Sequence, residues 1–283
     1  MGSPDPLVVA LVLLSAVLHA AWHAVAKVGS DRLLTLWVVI GVGSVCGGVA
    51  LCVLALPERA AWPYLAASFV LHAVYHLALI RMYHLGDLSQ VYPIARGIAP
   101  TLVGIGAACF AAEPLRPTQI AGLGLSSLAI TTLALASTPA VGRARLAVPA
   151  ALRTGLLIAA YTVVDGQGVR LAGGELRYIA WSFFLDGIPV TLAVVWLRRG
   201  QIHGFLRAEG TRACAGGLIA TLGYSIVLWA LARGAMVQVS ALRETSVLFA
   251  ALIGTRWLGE PLGRRRVAAA AGVVAGVLLL QWG

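Results

Sequence analysis

Apolar residues fill the chain in long runs, broken by short stretches of glycine, proline and charge. A run of about 20 residues at 1.5 Å rise each crosses roughly 30 Å of hydrocarbon, so each run predicts a membrane-spanning helix. Ten spans follow, over roughly residues 7–27, 33–56, 61–83, 88–111, 117–137, 149–170, 177–197, 212–232, 236–258 and 264–282. The breaks at Gly29-Ser30-Asp31, Pro57-Glu58, Gly86-Asp87, Glu113-Pro114, Gly173-Gly174-Glu175 and Glu260-Pro261 each join a helix breaker to a charge. Thr138 to Ala147 has the most linker character in mid-chain and separates a first five-helix repeat (1–138) from a second (149–283) across a linker (139–148). The predicted fold class is all-α integral membrane, ten transmembrane helices as two inverted five-helix repeats. An odd number of spans per half makes the second half enter the membrane from the opposite side.

A duplicated pattern supports the two halves. Arg96 lies 17 residues before Glu113-Pro114-Leu115, and Arg243 lies 17 residues before Glu260-Pro261-Leu262. Upstream, Gly86 precedes Gln90-Val91 as Gly234 precedes Gln238-Val239. Both arginines sit inside apolar spans, where a charge is costly and marks a functional site by default. Small residues spaced by four, Gly43 with Gly47 and Gly272 with Gly276, predict close helix–helix approach, and the last pair also offers a surface for a homodimer.

Composition narrows the class. Only 11% of the 283 residues are charged and mean hydropathy is +0.89, against about 25% charged in a soluble domain. The net charge of +10 does not point to nucleic acid, because the bases gather in loops without interleaved aromatics. Loops after odd-numbered spans hold 14 Lys and Arg residues; the other face, with both termini, holds five. The positive-inside rule puts the first set in the cytoplasm and both termini outside. Met1 to Pro6 lacks the basic region of a signal peptide, so the first apolar run is expected to remain a span. The four cysteines have neither zinc-site nor disulfide spacing and are read as small buried side chains.

Candidate chemistry lies inside the spans. Arg96 is ~12 Å into span 4 among Pro93, Gly97 and Pro100, residues that free carbonyls and bend a helix. Arg243 and Glu244 are adjacent in span 9, so they point about 100° apart and need different partners. Glu244 is either a coupling proton site or a neutraliser of Arg96 across the pseudo-symmetry axis. A guanidinium grips carboxylate or phosphate with two prongs and stays charged. With Asp165, Asp186 and Glu244 as inner acids, the midplane suits a zwitterion or small anion and repels a lipophilic cation. Asp165 and Asp186 each precede a glycine, which hints at local unwinding. His19 and His23 on span 1, and His72 and His76 on span 3, pair at i, i+4; packed, hydrogen-bonded histidines are the leading reading, ahead of proton relay or substrate hydrogen bonding and of metal. The aromatics Trp22, Tyr75, Tyr83, Tyr92, Tyr161, Trp181 and Tyr224 are candidates to line a cavity. The substrate-site set is Arg96, Arg243, Glu244, Asp165, Asp186, His76, Tyr92, Trp22 and Tyr224. No cofactor or metal is expected, and no nucleophile motif or phosphate-binding glycine loop suggests an enzyme.

Ten spans in two halves, each closing in a Glu-Pro-Leu turn and a glycine-rich helix (Glu113 with Gly122 and Gly124; Gly259-Glu260 with Gly272 and Gly276), resemble the drug/metabolite transporter superfamily, EamA-like branch. The stretches YHLGDLSQVYPIARGIAP, YTVVDGQGVR and ALRETSVLFAALIG look like a subgroup containing membrane proteins associated with phosphonate utilisation. The resemblance implies a multi-pass carrier of the plasma membrane, working by alternating access, with a central cavity lined by spans 1, 3, 4, 6, 8 and 9. Characterised members of that family move amino acids, nucleotide-linked metabolites and other small polar compounds, often outward; together with the two buried arginines this leads to the expectation of an exporter of an amino-acid-like or carboxylate-, phosphate- or phosphonate-bearing compound. The resemblance places both termini in the cytoplasm, opposite to the loop-charge reading. The expected partners are a small-molecule substrate and the bilayer, with the chain a monomer or homodimer. Two rival readings are a proton-coupled exporter of cationic compounds and a non-transporting accessory membrane protein.

Overall fold

The computed structural model describes residues 5–27, 29–85, 88–135, 144–249, 252 and 264–282. Among these the secondary structure is helical without strands: α1 (Pro6–Lys27), α2 (Arg32–Leu51), α3 (Trp62–Leu85), α4 (Leu88–Phe110), α5 (Pro117–Leu135), α6 (Ala144–Arg170), α7 (Glu175–Arg198), α8 (Ile202–Arg233), α9 (Met236–Arg243) and α10 (Arg264–Trp282). The described residues contain five apolar stretches long enough to cross a membrane, the last of them running through α7 and α8. The protein is an all-α membrane protein. Its surface is apolar, with Val45, Val49, Val53, Phe110 and Trp196 strongly exposed, while Arg96, Asp165, Arg243 and Glu244 are buried. Lipid solvates the first group, and only protein partners satisfy the second.

The helices interleave across the two halves. α3 packs on α6 as α8 packs on α1; α4 packs on α6 as α9 packs on α1; α2 meets α7, and α5 meets α10. Exchanging the halves maps this pattern onto itself. Glycines set the closest approaches. A Cβ on Gly47 would lie 2.5 Å from the Ala180 carbonyl oxygen and 2.9 Å from the Phe184 nitrogen, so α2 and α7 touch backbone to backbone. Trp37 Nε1 donates to Thr191 Oγ1 (3.1 Å) and Ser44 Oγ to the Phe184 carbonyl (2.9 Å) along the same seam. Gly272 and Gly276 lie against Ala129, Gly122 and Ser126 of α5. That small-residue face is therefore filled within the chain, and not by a second copy as its spacing also allowed.

Several boundaries differ from expectation, each for a local reason. α2 ends at Leu51, five residues before the predicted end of span 2. α6 begins at Ala144, inside the predicted linker; Pro149 sits near its start, where its missing N–H removes one helical bond. α8 begins at Ile202, ten residues early, because a single 3₁₀ turn at Arg199–Gln201 links it to α7. Asp165-Gly166 and Asp186-Gly187 lie in uninterrupted helices. Their glycines accommodate neighbours: a Cβ on Gly166 would meet Met236 Cε at 2.7 Å, and one on Gly187 would meet Ser44 Cβ at 2.4 Å. The four cysteines are exposed, contrary to their reading as buried side chains. The Gly86-Asp87 and Glu260-Pro261-Leu262 turns, linker residues 136–143 and most of span 9 beyond Phe249 lie outside the described residues.

Gly47→Ala is expected to lower stability by about 1–3 kcal/mol, the usual cost of overpacking. Gly41→Ala, where a Cβ meets nothing within 4 Å, should be neutral or stabilising by about 0.5–1 kcal/mol. Melting of both variants in detergent checks this; equal effects would contradict the tight α2–α7 seam.

Candidate functional site

The site begins with a broken helix. α9 stops at Arg243, Glu244 and Thr245 form a turn, and helix resumes over 246–249. In the turn the Glu244 N–H reaches the Ala241 carbonyl (3.0 Å) and the Thr245 N–H the Leu242 carbonyl (3.1 Å). Thr245 Oγ1 donates to that same Leu242 carbonyl (2.7 Å), offering the backbone an alternative to the α-helical ladder. Neither glycine nor proline marks this break. Span 4, where Pro93, Gly97 and Pro100 suggested one, runs as a continuous helix.

The broken end frees polar groups in the core, and Arg96 meets them. Its Nη2 pairs with Glu244 Oε1 at 2.8 Å and reaches the Arg243 carbonyl at 3.5 Å. The guanidinium thus joins α4 to the end of α9, where a cation complements the helix dipole. Arg96 is 3% exposed and Glu244 1%. Glu244 Oε2 finds no donor among the described residues.

Arg243 points elsewhere. Its guanidinium carbon lies 5.6 Å from the Tyr224 ring centre, and its side chain lines a cavity of about 130 Å³ at mid-depth in the bundle. Among the described residues no carboxylate lies within ion-pairing distance of it. The cavity wall is drawn from both halves: His19 and Trp22 of α1, His72, Tyr75 and His76 of α3, Tyr161 of α6, Phe183 and Asp186 of α7, and Tyr224 of α8. The α1 corner is held by Trp22 Nε1 on His19 Nδ1 (3.2 Å), by the His19–His23 contact (3.2 Å) and by Trp22 stacked on His23. On the far side His72 stacks on Tyr161 with ring centres 4.3 Å apart.

Asp165 lies behind that wall, fully buried. Tyr178 donates to its Oδ1 (2.9 Å) and Tyr224 to its Oδ2 (2.7 Å), while His72 Nε2 stands 4.0 Å away. Both oxygens are engaged, so Asp165 positions Tyr224 and the cavity wall. Of the predicted set, then, Trp22, His76, Asp186, Tyr224 and Arg243 meet on one cavity, whereas Arg96, Glu244 and Asp165 stand outside its lining. The side chain of Tyr92 lies outside the described residues. Among the described residues no three potential ligands come together to hold a metal ion.

One polar constellation escaped the sequence reading. At one end of the bundle, Arg170 Nη1 pairs with Glu113 Oε1 (2.7 Å), its Nε donates to the Leu231 carbonyl (2.9 Å) and its Nη2 to the Gly234 carbonyl (2.8 Å). Glu113 Oε2 in turn accepts the Met236 N–H (2.8 Å), capping α9 from the other half of the chain. Ala112 adopts a positive φ of 52° to turn the chain after α4. Nearby, the Glu58 N–H reaches the Ala172 carbonyl (3.2 Å), and Glu58 lies so close to Gly173 (φ 66°) that a Cβ there would meet its carboxylate at 2.4 Å. Glu113 had registered only as part of a turn motif and Arg170 only as a loop charge.

Removing one partner of a buried ion pair strands the other. Arg96→Gln or Glu244→Gln alone is expected to destabilise by about 3–5 kcal/mol. The double variant should recover most of that loss; strict additivity in denaturant titrations would show that the pair is not coupled.

Comparison with known proteins places these features. The family model described as "EamA-like transporter family" matches residues 145–282. An uncharacterized protein of Pseudomonas aeruginosa is 29% identical over 232 residues, spanning 80% of this chain and 75% of its own length. One solved crystal structure superposes with a TM-score of 0.71 at 17% identity, covering 96% of this chain and 94% of the other, a likeness of fold alone. Buried ionisable groups around a mid-depth cavity in a helical membrane bundle agree with that match: the second half of the chain is similar to the EamA-like transporter family, a family of multi-pass membrane transporters.

Proposed function

We propose that this protein is a secondary-active transporter of a small polar metabolite bearing a carboxylate, phosphate or phosphonate, working by alternating access. The observation that carries this reading is Arg243, a 5%-exposed guanidinium that faces the cavity with no carboxylate partner among the described residues. A permanent cation in such a place attracts an anion. Arg96 has the same sequence context but is neutralised by Glu244, so the two arginines divide the work. The cavity holds the volume of roughly four water molecules, which suits a small metabolite. Tyr75 and Tyr161 add hydroxyl groups and apolar faces, and Tyr224, its hydroxyl held by Asp165, adds an aromatic face. The Arg-rich loops favour a plasma-membrane carrier with those loops in the cytoplasm, and the family resemblance favours export.

The Glu113–Arg170 clasp supports alternating access. It closes one end of the bundle by joining the α4–α5 turn of the first half to α6 and the α8–α9 turn of the second. Opening that end exchanges these bonds for water.

Thermal unfolding of the purified protein against amino acids, carboxylates, phosphate esters, phosphonates and organic cations tests the substrate class. Anionic or zwitterionic compounds are expected to raise the melting temperature, by the equivalent of about 2.7 kcal/mol at a hundredfold excess over Kd. Arg243→Gln should abolish that effect. Stabilisation by cations alone, unchanged in Arg243→Gln, would refute the reading in favour of a cation exporter.

Arg170→Gln removes three donors from the clasp. With the native cysteines replaced and Ser182→Cys placed on the cavity wall, a membrane-impermeant maleimide is expected to react from the clasp side several-fold faster in this variant. Equal rates would show that the clasp does not close the cavity.

A further inference from the structure

We infer that His76 and Asp186 together bind the proton that couples transport, an inference that rests on the transport reading above. His76 belongs to α3 in the first half and Asp186 to α7 in the second. His76 Nδ1 and Asp186 Oδ1 face each other at 3.5 Å, both buried, and neither has a hydrogen-bond partner among the described residues. His76 as a whole is 6% exposed, and both side chains line the cavity. At this separation the two atoms are not hydrogen-bonded to each other. A proton gained by the pair makes the imidazole a cationic donor to the carboxylate, a charge-assisted hydrogen bond worth roughly twice a neutral one. Because the two atoms belong to different halves, binding that proton draws α3 toward α7, and losing it releases them.

The other buried acids of the bundle centre stand off the cavity lining and have partners of their own. Glu244 is paired with Arg96 away from the cavity lining, and Asp165 has a tyrosine hydroxyl on each oxygen. Asp186 is the described carboxylate on the cavity wall. The groups around the pair set its surroundings element by element. On α3, His72 has its Nδ1 on Ser68 and its ring 6.2 Å from His76, and Tyr75 lies 5.3 Å away. α1 contributes His19, α6 Tyr161, α8 Tyr224 and α9 the cation of Arg243; α2 contributes no titratable group to this wall. An anionic substrate on Arg243 and a proton on His76–Asp186 would thus occupy one cavity together, so that the charge carried by the substrate is offset within it.

The test needs no substrate and is therefore independent of whether Arg243 binds an anion. Nitroxide labels are placed on Arg81→Cys of α3 and Trp196→Cys of α7, both exposed, in a chain whose four native cysteines are replaced by alanine. The protein in lipid nanodiscs is measured by pulsed electron–electron resonance at pH about 5 and about 8, the range over which an imidazole changes charge. The expected result is a distance distribution that is shorter at the lower pH. His76→Gln and Asp186→Asn should each abolish the difference, while His72→Gln and Arg243→Gln retain it. An unchanged distribution in the parent, or a difference that survives in Asp186→Asn, overturns the proposal. Since the parent alone can overturn it, a variant that fails to fold does not shield it. Loss of anion stabilisation in Arg243→Gln, with the pH response intact, would uphold both readings separately.

Discussion

The buried pair between Arg96 and Glu244 is the constraint around which this structure is arranged. Two full charges leave water together in the middle of a lipid-solvated bundle, and their attraction offsets that desolvation only when geometry and supporting bonds are good. The 2.8 Å contact supplies the geometry, and the α9 break supplies the support, since the carbonyl freed at Arg243 lies within reach of the same guanidinium. The pair therefore ties three things at once: α4 of the first half, the break in α9 of the second, and the direction taken by the next side chain. Adjacent helical residues diverge by about 100°, so fixing Glu244 on Arg96 turns Arg243 toward the cavity. Pairing one arginine is what leaves the other on the cavity wall.

Duplicated sequence has in this way produced unequal parts. Arg96 and Arg243 stand at matching distances from their Glu-Pro-Leu turns, yet α4 is continuous and α9 is not. The difference traces to the residues that follow. After Arg243 come Glu, Thr and Ser, whose acid captures the opposite arginine and whose Thr245 hydroxyl claims a backbone carbonyl. After Arg96 come Gly97, Ile98, Ala99 and Pro100, with no acid to pair and no hydroxyl to compete. Gly97 instead makes room for Ile130, which a Cβ at this position would meet at 3.0 Å. The divergence leaves one arginine ion-paired in the core and the other on the cavity wall.

The helices were legible in the sequence because lipid makes hydrophobic length the dominant signal. Their ends were less so: the polar stretch before residue 212 reads as a loop, yet helix holds from Ile202, where Phe205 and Gly210 are buried among polar neighbours and the backbone bonds remain internal. The charged residues of the site could be named, since any charge in an apolar run is conspicuous. Which of them faces the cavity could not, because that depends on pairings across 148 positions such as Arg96 with Glu244. Asp165 shows the same limit, its role decided by two tyrosine hydroxyls, one of them 59 residues away on α8. The Glu113–Arg170 clasp was hidden for the opposite reason: charges at span ends are ordinary topology signals, and only the fold reveals that these two meet.

Tight and loose contacts are distributed unevenly between the halves, and that bears on how such a bundle can move. Along α2–α7 and α5–α10 the approach is limited by backbone atoms at Gly47, Gly122 and Gly276, which leave no slack for sliding. Packed seams of this kind shift as units, since close-packed interiors do not deform continuously. The polar ties are different. Water can substitute for each partner of Arg170 and Glu113 at the end of the bundle, so separating them costs only the difference between protein and solvent hydrogen bonds. At the cavity, His76 and Asp186 have a bond still to make. A cycle that holds the glycine seams fixed while exchanging the polar contacts would keep the apolar core intact at every stage.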